Sequence, residues 1–363
     1  MAVKIVHAAD FHLDSAFGAL NADKARQRRR ESRDLVERLA NFVNAQGADI
    51  VLLAGDLFDG ETTYRETIEQ LPRALGEMSA EVFIVPGNHD FYHARSPYAA
   101  LDWPQNVHIF TENTMQGITL ESLNCTVYGA AFTSYAQEES QLASFRAPDD
   151  GRIHIGLLHA DLNAAEKRYN PLRSEEIAAS NLDYLALGHT HAFAGVQTAG
   201  QTAYAYCGCI EGRGFDETGD KGVLAGTVEK GKVQLRFIPF ARRRYEVLSV
   251  DVTGKTAETA LREALPGSTA SDLYRIIFTG ETGEGGVDLE RITERFESEF
   301  YHLELRDKTR LTEDIWQRAA EDSLRGLFLR DMRAKYDAAS DAEKETIVRA
   351  VRFGLAALDG RDM

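Results

Sequence analysis

Five short tracts gather side chains that bind cations: Asp10-Phe11-His12, Gly55-Asp56-Leu57-Phe58-Asp59, Gly87-Asn88-His89-Asp90, His159, and Gly188-His189-Thr190-His191. Each follows an apolar run that reads as a strand. In extended chain, residues i and i+2 point the same way. Asp10 and His12 can therefore approach one ion together, as can His189 and His191. Asp56 leaves its strand directly after Gly55, where backbone can come close, and Asn88 adds a neutral oxygen. Oxygen and imidazole nitrogen without thiolate suit Mn, Fe, Zn or Ni. The seven donors Asp10, His12, Asp56, Asn88, His159, His189 and His191 are too many for one ion and suit two that share a carboxylate. Singly the tracts are weak, since D-x-H arises by chance and GNHD is rich in turn formers. Together they place five of the ten histidines at strand ends, which points to a binuclear metal site.

Those strand ends must meet on one side of a sheet. Residues 3–9 read as a strand. Leu35, Val36, Leu39, Phe42 and Val43 follow at helical spacing, and Gly47 stops that helix. Residues 49–54 form the next strand. Ile68, Leu71, Leu75 and Met78 make a second helical stripe, which Pro72 kinks or restarts. Residues 81–85 are a third strand, ended by Pro86-Gly87. This βαβαβ order predicts parallel strands covered by helices, with a site in the loops at their carboxyl ends. Residues 117–132 alternate like a hairpin, and 153–158 and 182–187 are apolar runs. Residues 194–198 with 203–206, and 223–228 with 232–238, read as hairpins around Gly200 and Gly231. The expected domains are 1–241, carrying the site, a small α/β unit over 242–310, and a helical segment over 311–363. That segment shows an apolar stripe of Leu324, Leu327, Phe328 and Met332. A capping box from Ser340 to Glu343 opens a last helix with Ile347, Val351 and Leu355 on its apolar face.

The chain has 363 residues, 44% hydrophobic and 27% charged, which excludes a disordered protein. No apolar run approaches the roughly 20 residues of a membrane span. The opening residues 1–7 read as a strand, so no secretory signal is expected, and the expected compartment is the cytoplasm. Three cysteines make no disulfide framework. Cys207-x-Cys209 is either a metal pair or two residues lining a strand, and no second pair completes a tetrahedral site. The net charge of −16 is wrong for a module that grips DNA by bulk charge. Carboxylates gathered around divalent cations invert the local field, so the charge alone does not exclude nucleic acid. Lys24, Arg26, Arg28, Arg29, Arg30 and Arg33 form one basic run, and Arg242-Arg243-Arg244 another. Each is either a phosphate contact or a solvated charged face.

The ordered set D-x-H, G-D-x-x-D, G-N-H-D, H, G-H-x-H, spanning Asp10 to His191, resembles the calcineurin-like metallophosphoesterases. The tracts from His7 to Ser15 and from Asp183 to His191 are similar to the SbcD/YhaO group of DNA-repair exonuclease-like proteins. So is Gly219-Asp220-Lys221-Gly222, which follows Glu211-Gly212-Arg213-Gly214-Phe215. Protein serine/threonine phosphatases fit less well. Their motif continues into Arg-Gly where this chain has Gly60-Glu61, and into Glu where it has Asp90.

The resemblance implies an α/β fold: a four-layer α/β/β/α sandwich with a small α/β cap and carboxy-terminal helices. It implies a first metal on Asp10, His12 and His191, a second on Asn88, His159 and His189, and Asp56 bridging them. The ions would be Mn foremost, with Fe, Zn or Mg as alternatives. A hydroxide between them would attack phosphorus in line. His89 would act on the leaving oxygen, and Asp59 would orient His89 and raise its pKa. The other reading of Asp59 is a cap or surface residue. The double-strand-break nucleases of archaea and eukaryotes carry His at that position, whereas the bacterial SbcD group usually carries Asp. The implied activity is phosphodiester hydrolysis on DNA, by an exonuclease or endonuclease. An SMC-like ATPase (SbcC-like) would dock on the carboxy-terminal stripe, which otherwise packs within the chain. A homodimer is compatible with this picture and a membrane partner is not. Two other functions stay open: a small-nucleotide phosphodiesterase or phosphatase, and a non-catalytic metal-binding scaffold for the ATPase.

Overall fold

The computed structural model describes residues 2–60, 63–163 and 167–360. Glu61, used above against the phosphoprotein phosphatases, lies outside these residues. The chain divides into two compact units, Met1–Arg242 and Arg243–Met363.

The first unit runs β1 (Val3–Ala8), α1 (Ala22–Gln46), β2 (Ile50–Ala54), α2 (Arg65–Gly76), β3 (Glu81–Val85), α3 (Pro97–Ala100), β4 (Val107–Ile109), β5 (Gln116–Leu120), β6 (Cys125–Gly129), β7 (Ile153–His159), β8 (Asp161–Leu162), β9 (Pro171–Leu172), α4 (Ser174–Ala179), β10 (Tyr184–Gly188), β11 (Gln197–Ala199), β12 (Thr202–Tyr206), β13 (Gly222–Glu229) and β14 (Lys232–Pro239). Two six-stranded sheets result, ordered β14-β13-β1-β2-β3-β4 and β11-β12-β10-β7-β6-β5. The centre of each is parallel: β1-β2-β3-β4 in the first and β6-β7-β10-β12 in the second. The antiparallel hairpins β13-β14, β5-β6 and β11-β12 lie at the margins.

Alternation assigns each side chain to a face. Val6, Ala8, Val51 and Leu53 pack against Leu35, Leu39 and Val43 of α1 and Leu71 and Leu75 of α2. Ile5, Ile50, Leu52 and Phe83 pack instead against Val127, Ile155, Leu157 and Ala186 of the other sheet. Both faces of β2 are therefore covered, which is why it reads as an unbroken apolar run. The outer face of the second sheet is covered by Ile177 of α4 together with Leu142 and Leu172. Gly47 ends α1 in the left-handed conformation with φ 59°, its N–H donated to Asn44 O. Helix α2 runs unbroken through Pro72. The Pro72 ring, missing an N–H, sits late in the helix, and Met78 lies just beyond it in the same core.

The second unit has three parallel strands, β15 (Tyr245–Asp251), β16 (Leu273–Thr279) and β18 (His302–Asp307), with α5 (Ala257–Ala264) and α6 (Leu289–Phe296) as crossovers. A two-residue pair, β17 (Glu281–Thr282) with β19 (Arg310–Leu311), lies beside them. Helices α7 (Glu313–Gln317), α8 (Leu324–Ala338) and α9 (Asp341–Leu358) follow. Their core is Ile315, Trp316, Leu329, Met332, Val348, Val351 and Leu355. The capping box at Ser340 and Glu343 is formed. The predicted stripe on α8 splits. Met332 is buried and Phe328 packs on this core, while Leu324 and Leu327 are 68% and 58% exposed. No helix among the described residues is long and apolar enough to cross a membrane.

Gly188 closes β10 directly over β2. A methyl group there would overlap the Ala54 carbonyl oxygen. Gly188→Ala should therefore separate the strand ends of the two sheets, lowering stability by about 1–3 kcal/mol, as overpacking does. A thermal-unfolding scan with a metal-content assay should show a lower Tm and reduced metal retention.

Candidate metal centre

The loops after β1 and β2 extend the strand pairing beyond the strands. Asp10 N–H donates to Gly55 O at 3.1 Å, His12 N–H to Asp56 O at 3.0 Å, and Leu13 N–H to Leu57 O at 2.8 Å. This zipper holds side chains on unusual backbone. Asp10, His12, Asp56 and His189 all have positive φ, at 52°, 42°, 51° and 101°. Non-glycine residues there cost about 1 kcal/mol or more each, and such strain concentrates at functional sites.

The donors converge. Asp10, His12 and His191 form one group with ligand atoms mutually within 4.8 Å, and Asp10, Asp56 and His159 form another. Asp56 Oδ2 lies 3.7 Å from His12 Nε2 and 3.4 Å from His159 Nε2, one nitrogen from each expected metal set. Asn88 Oδ1 lies 3.0 Å from His159 Nε2. His189 is the outlier. Its ring stands 5.1 Å from that of His159, and its Nε2 is 4.0 Å from Asp161 Oδ2, outside both groups.

The outward nitrogens decide what faces inward. His159 Nδ1 donates to Ala54 O at 2.9 Å, His12 Nδ1 meets Asp59 Oδ1 at 3.0 Å, and His191 Nδ1 meets Glu217 Oε1 at 2.6 Å. All three partners are acceptors, so each Nδ1 carries the hydrogen. In the neutral rings the Nε2 lone pairs then point inward. His12 Nε2 and His191 Nε2 face each other at 3.4 Å, and His159 Nε2 faces two oxygens. The facing atoms are reconciled by positive charge, either a proton on a ring, as on His159, or a cation bound between them. The donor set therefore fits divalent metal, with its outer ring of acceptors fixing each tautomer.

Electrostatics agree. Burial works against the ionised Asp56, yet His159 and His12 beside it carry its carboxyl far below the ordinary range. Burial likewise opposes the His159 cation, but Asp56 and then Asp10 raise it to about 9. Asp10 stays above the ordinary value because burial outweighs His159 and His191. Burial and the His159 charge push His189 down to about 4.

Asp59 bonds His12 and accepts from Arg213 Nη1 at 3.0 Å, so it orients an expected ligand. It also lies within 4.8 Å of a His89 ring nitrogen, where its charge favours the His89 cation as the sequence suggested. Arg213 Nη2 reaches Glu217 Oε1, also at 3.0 Å, which ties together the carboxylates behind His12 and His191. Burial opposes ionisation of Glu217, but the His191 hydrogen bond and Arg213 hold it down at about 2. Nothing near in sequence marked Glu217. Asp90, quoted above only as the end of a tract, binds two loops: Oδ1 accepts from Gly87 N–H at 2.7 Å, and Oδ2 from Leu57 N–H at 2.7 Å, Phe58 N–H at 3.1 Å and Tyr98 Oη–H at 2.5 Å.

The basic run on α1 is only partly a surface. Arg28 is fully buried, paired with Glu31 and with Glu211 at 2.7 Å, and donates to Gly212 O. Arg33 pairs with Asp14. Of the second run, Arg243 is buried and donates to Ser271 O, and Arg244 pairs with Asp272. Arg28 and Arg243 thus serve the fold, their guanidinium groups buried within it. Cys207 and Cys209 are buried free thiols that follow β12, outside the strand expected to carry them.

Residues 3–193 match the Calcineurin-like phosphoesterase family, and the chain belongs to it. It is thus a metallophosphoesterase, of a hydrolase family that binds divalent metals. Among its relatives is a Bacillus subtilis protein described as "Uncharacterized metallophosphoesterase YhaO", 32% identical over 267 residues. That match covers 70% of this chain and 65% of the relative's length. The "DNA double-strand break repair protein Mre11" of Methanopyrus kandleri is 21% identical over 336 residues, covering 86% of this chain and 72% of its own.

Asp59→Ala removes the acceptor that fixes His12. Metal affinity should fall about 10–100-fold, as for other residues that orient ligands. Calorimetric titration with Mn would show it. A second expectation concerns protons. Since His159 holds a proton up to about pH 9 without metal, metal must displace it. Affinity should rise as pH approaches that value and level off above it. Titrations in buffers of different ionisation enthalpy should reveal a proton released on loading below it.

Proposed function

We propose that this chain is a phosphodiesterase that cleaves DNA with two divalent cations. The observation that carries the proposal is the inward set of imidazole Nε2 atoms around two buried carboxylates, with His89 exposed beside them. Asp10, His12 and His191 would hold one cation and Asn88, His159 and His189 the other, with Asp56 common to both sets. Mn is the first choice, and Fe, Zn or Mg suit the same donors. When bound, the pair supplies Lewis acidity and a water activated at neutral pH.

The chain's own residues position the reaction. His89 N–H donates to Asp56 Oδ1 at 3.0 Å, anchoring the backbone of His89 to the shared carboxylate. The His89 ring stands 4.9 Å from that of His12 and is open to solvent. Burial, ahead of the opposing Asp56 charge, keeps His89 below its ordinary pKa in the free site. A phosphate against the ring favours its protonated form, and that proton goes to the leaving oxygen. DNA as the polymer is supported by the likeness to the Methanopyrus kandleri repair protein.

The test is Mn-dependent cleavage of end-labelled single- and double-stranded DNA, with bis(p-nitrophenyl) phosphate in parallel. His89→Gln should lose about 10²–10⁴-fold in turnover, the usual contribution of a positioned proton donor, while retaining its metal. Cleavage of the small diester without DNA cleavage would favour the nucleotide-directed reading. No hydrolysis of either by the metal-loaded chain would favour the scaffold.

A further inference from the structure

Residues 168–170, just before β9, pack on the loop between β6 and β7, next to His189. Gln137 N–H donates to Arg168 O at 2.9 Å, and Asn170 N–H donates to Gln137 O at 2.7 Å. Asn170 is wholly buried, with φ 51°, and its Nδ2 donates to His159 O at 3.0 Å. This frame is thus tied to the backbone of an expected metal ligand.

On the frame sit two tyrosines and an arginine. The Tyr169 ring lies 5.2 Å from the ring of His189. Tyr135 stands edge-on to Tyr169, with centroids 5.9 Å apart, and is 47% exposed. Tyr169 Oη donates to Tyr135 Oη at 3.3 Å. The Arg168 guanidinium stacks 5.3 Å from the Tyr135 centroid and 5.6 Å from that of Tyr169. Arg168 is exposed and makes no ion pair among the described residues. A series of π-faces and one exposed cation therefore leads from His189 out to solvent.

We propose that Tyr135, Arg168 and Tyr169 form a stacking platform for an unpaired nucleobase of the strand being cut. This inference rests on the phosphodiesterase reading and deepens it by selecting single-stranded or frayed ends. Aromatic faces accept any unstacked base, at about 1–3 kcal/mol per base, and an adjacent arginine adds cation–π attraction and meets the backbone phosphate. A base inside an intact duplex offers no free face. A protein with net charge −16 gains from such a local contact what it lacks in bulk attraction.

The experiment uses full-length, Mn-loaded His89→Gln chain, with the substrate checked by gel to be uncut. Fluorescence anisotropy reads binding of a short labelled oligothymidylate and of an abasic strand of equal length. Added Tyr135→Ala should weaken oligothymidylate binding about 5–100-fold and leave abasic-strand binding unchanged. Tyr135→Phe should restore it. Unchanged oligothymidylate binding, or equal weakening of both strands, would overturn the platform. If Tyr135→Ala shifts the Tm or metal content, Tyr135→Leu takes its place under the same criteria. Hydrolysis of bis(p-nitrophenyl) phosphate by the wild-type chain is measured alongside. Its absence removes the phosphodiesterase reading, whereas altered base binding speaks to the platform alone.

Discussion

At their carboxyl ends the two sheets approach so closely that the Ala54 carbonyl fills the space a side chain on Gly188 would need. The same carbonyl accepts from His159 Nδ1. One oxygen thus sets the spacing of the sheets and the tautomer of an inward-facing imidazole. From that contact the rest follows. Asp10 and Asp56 come from the first sheet, and His159, His189 and His191 from the second. Only the close approach lets acids from one meet bases from the other. Neither sheet alone could bury two carboxylates at acceptable energy, because buried charge needs opposite charge within a few ångströms.

The acceptors behind the imidazoles carry as much of the design as the inward-facing donors. Asp59 and Glu217 each fix one ring, and Arg213 spans both. Without a counter-charge, two more carboxylates beside Asp10 and Asp56 would deepen the local negative field. Arg213 offsets it from the outer side. Asp90 does a similar job for the backbone, collecting three N–H groups and the Tyr98 hydroxyl from turns that would otherwise leave donors unpaired.

Much of this was legible in the chain because its signals are local. Apolar runs ending in Asp, Asn or His tracts announced both the parallel strands and the donors, and Gly47, Gly200 and Gly231 marked turns that formed. What was not legible depends on distance in space. Asp59 lies three residues from Asp56, and nothing in the spacing says that it bonds His12. Glu217 sits on a loop far along the chain from His12. Arg28 looks like one cation among six, yet its helical phase turns it inward to Glu211. The stripe on α8 mixes residues that pack inward with Leu324 and Leu327, which do not, since periodicity identifies an apolar face without identifying what covers it.

The left-handed backbone at Asp10, His12, Asp56 and His189 has an evolutionary consequence. Each position would be more comfortable as glycine or asparagine. The strain there is offset only in part by the hydrogen bonds that Asp10 and Asp56 accept from the backbone of His189 and His89. A lineage released from the need to bind cations would gain stability by exchanging them, so drift would erase these positions first. The site is the least self-sustaining part of an otherwise well-packed molecule.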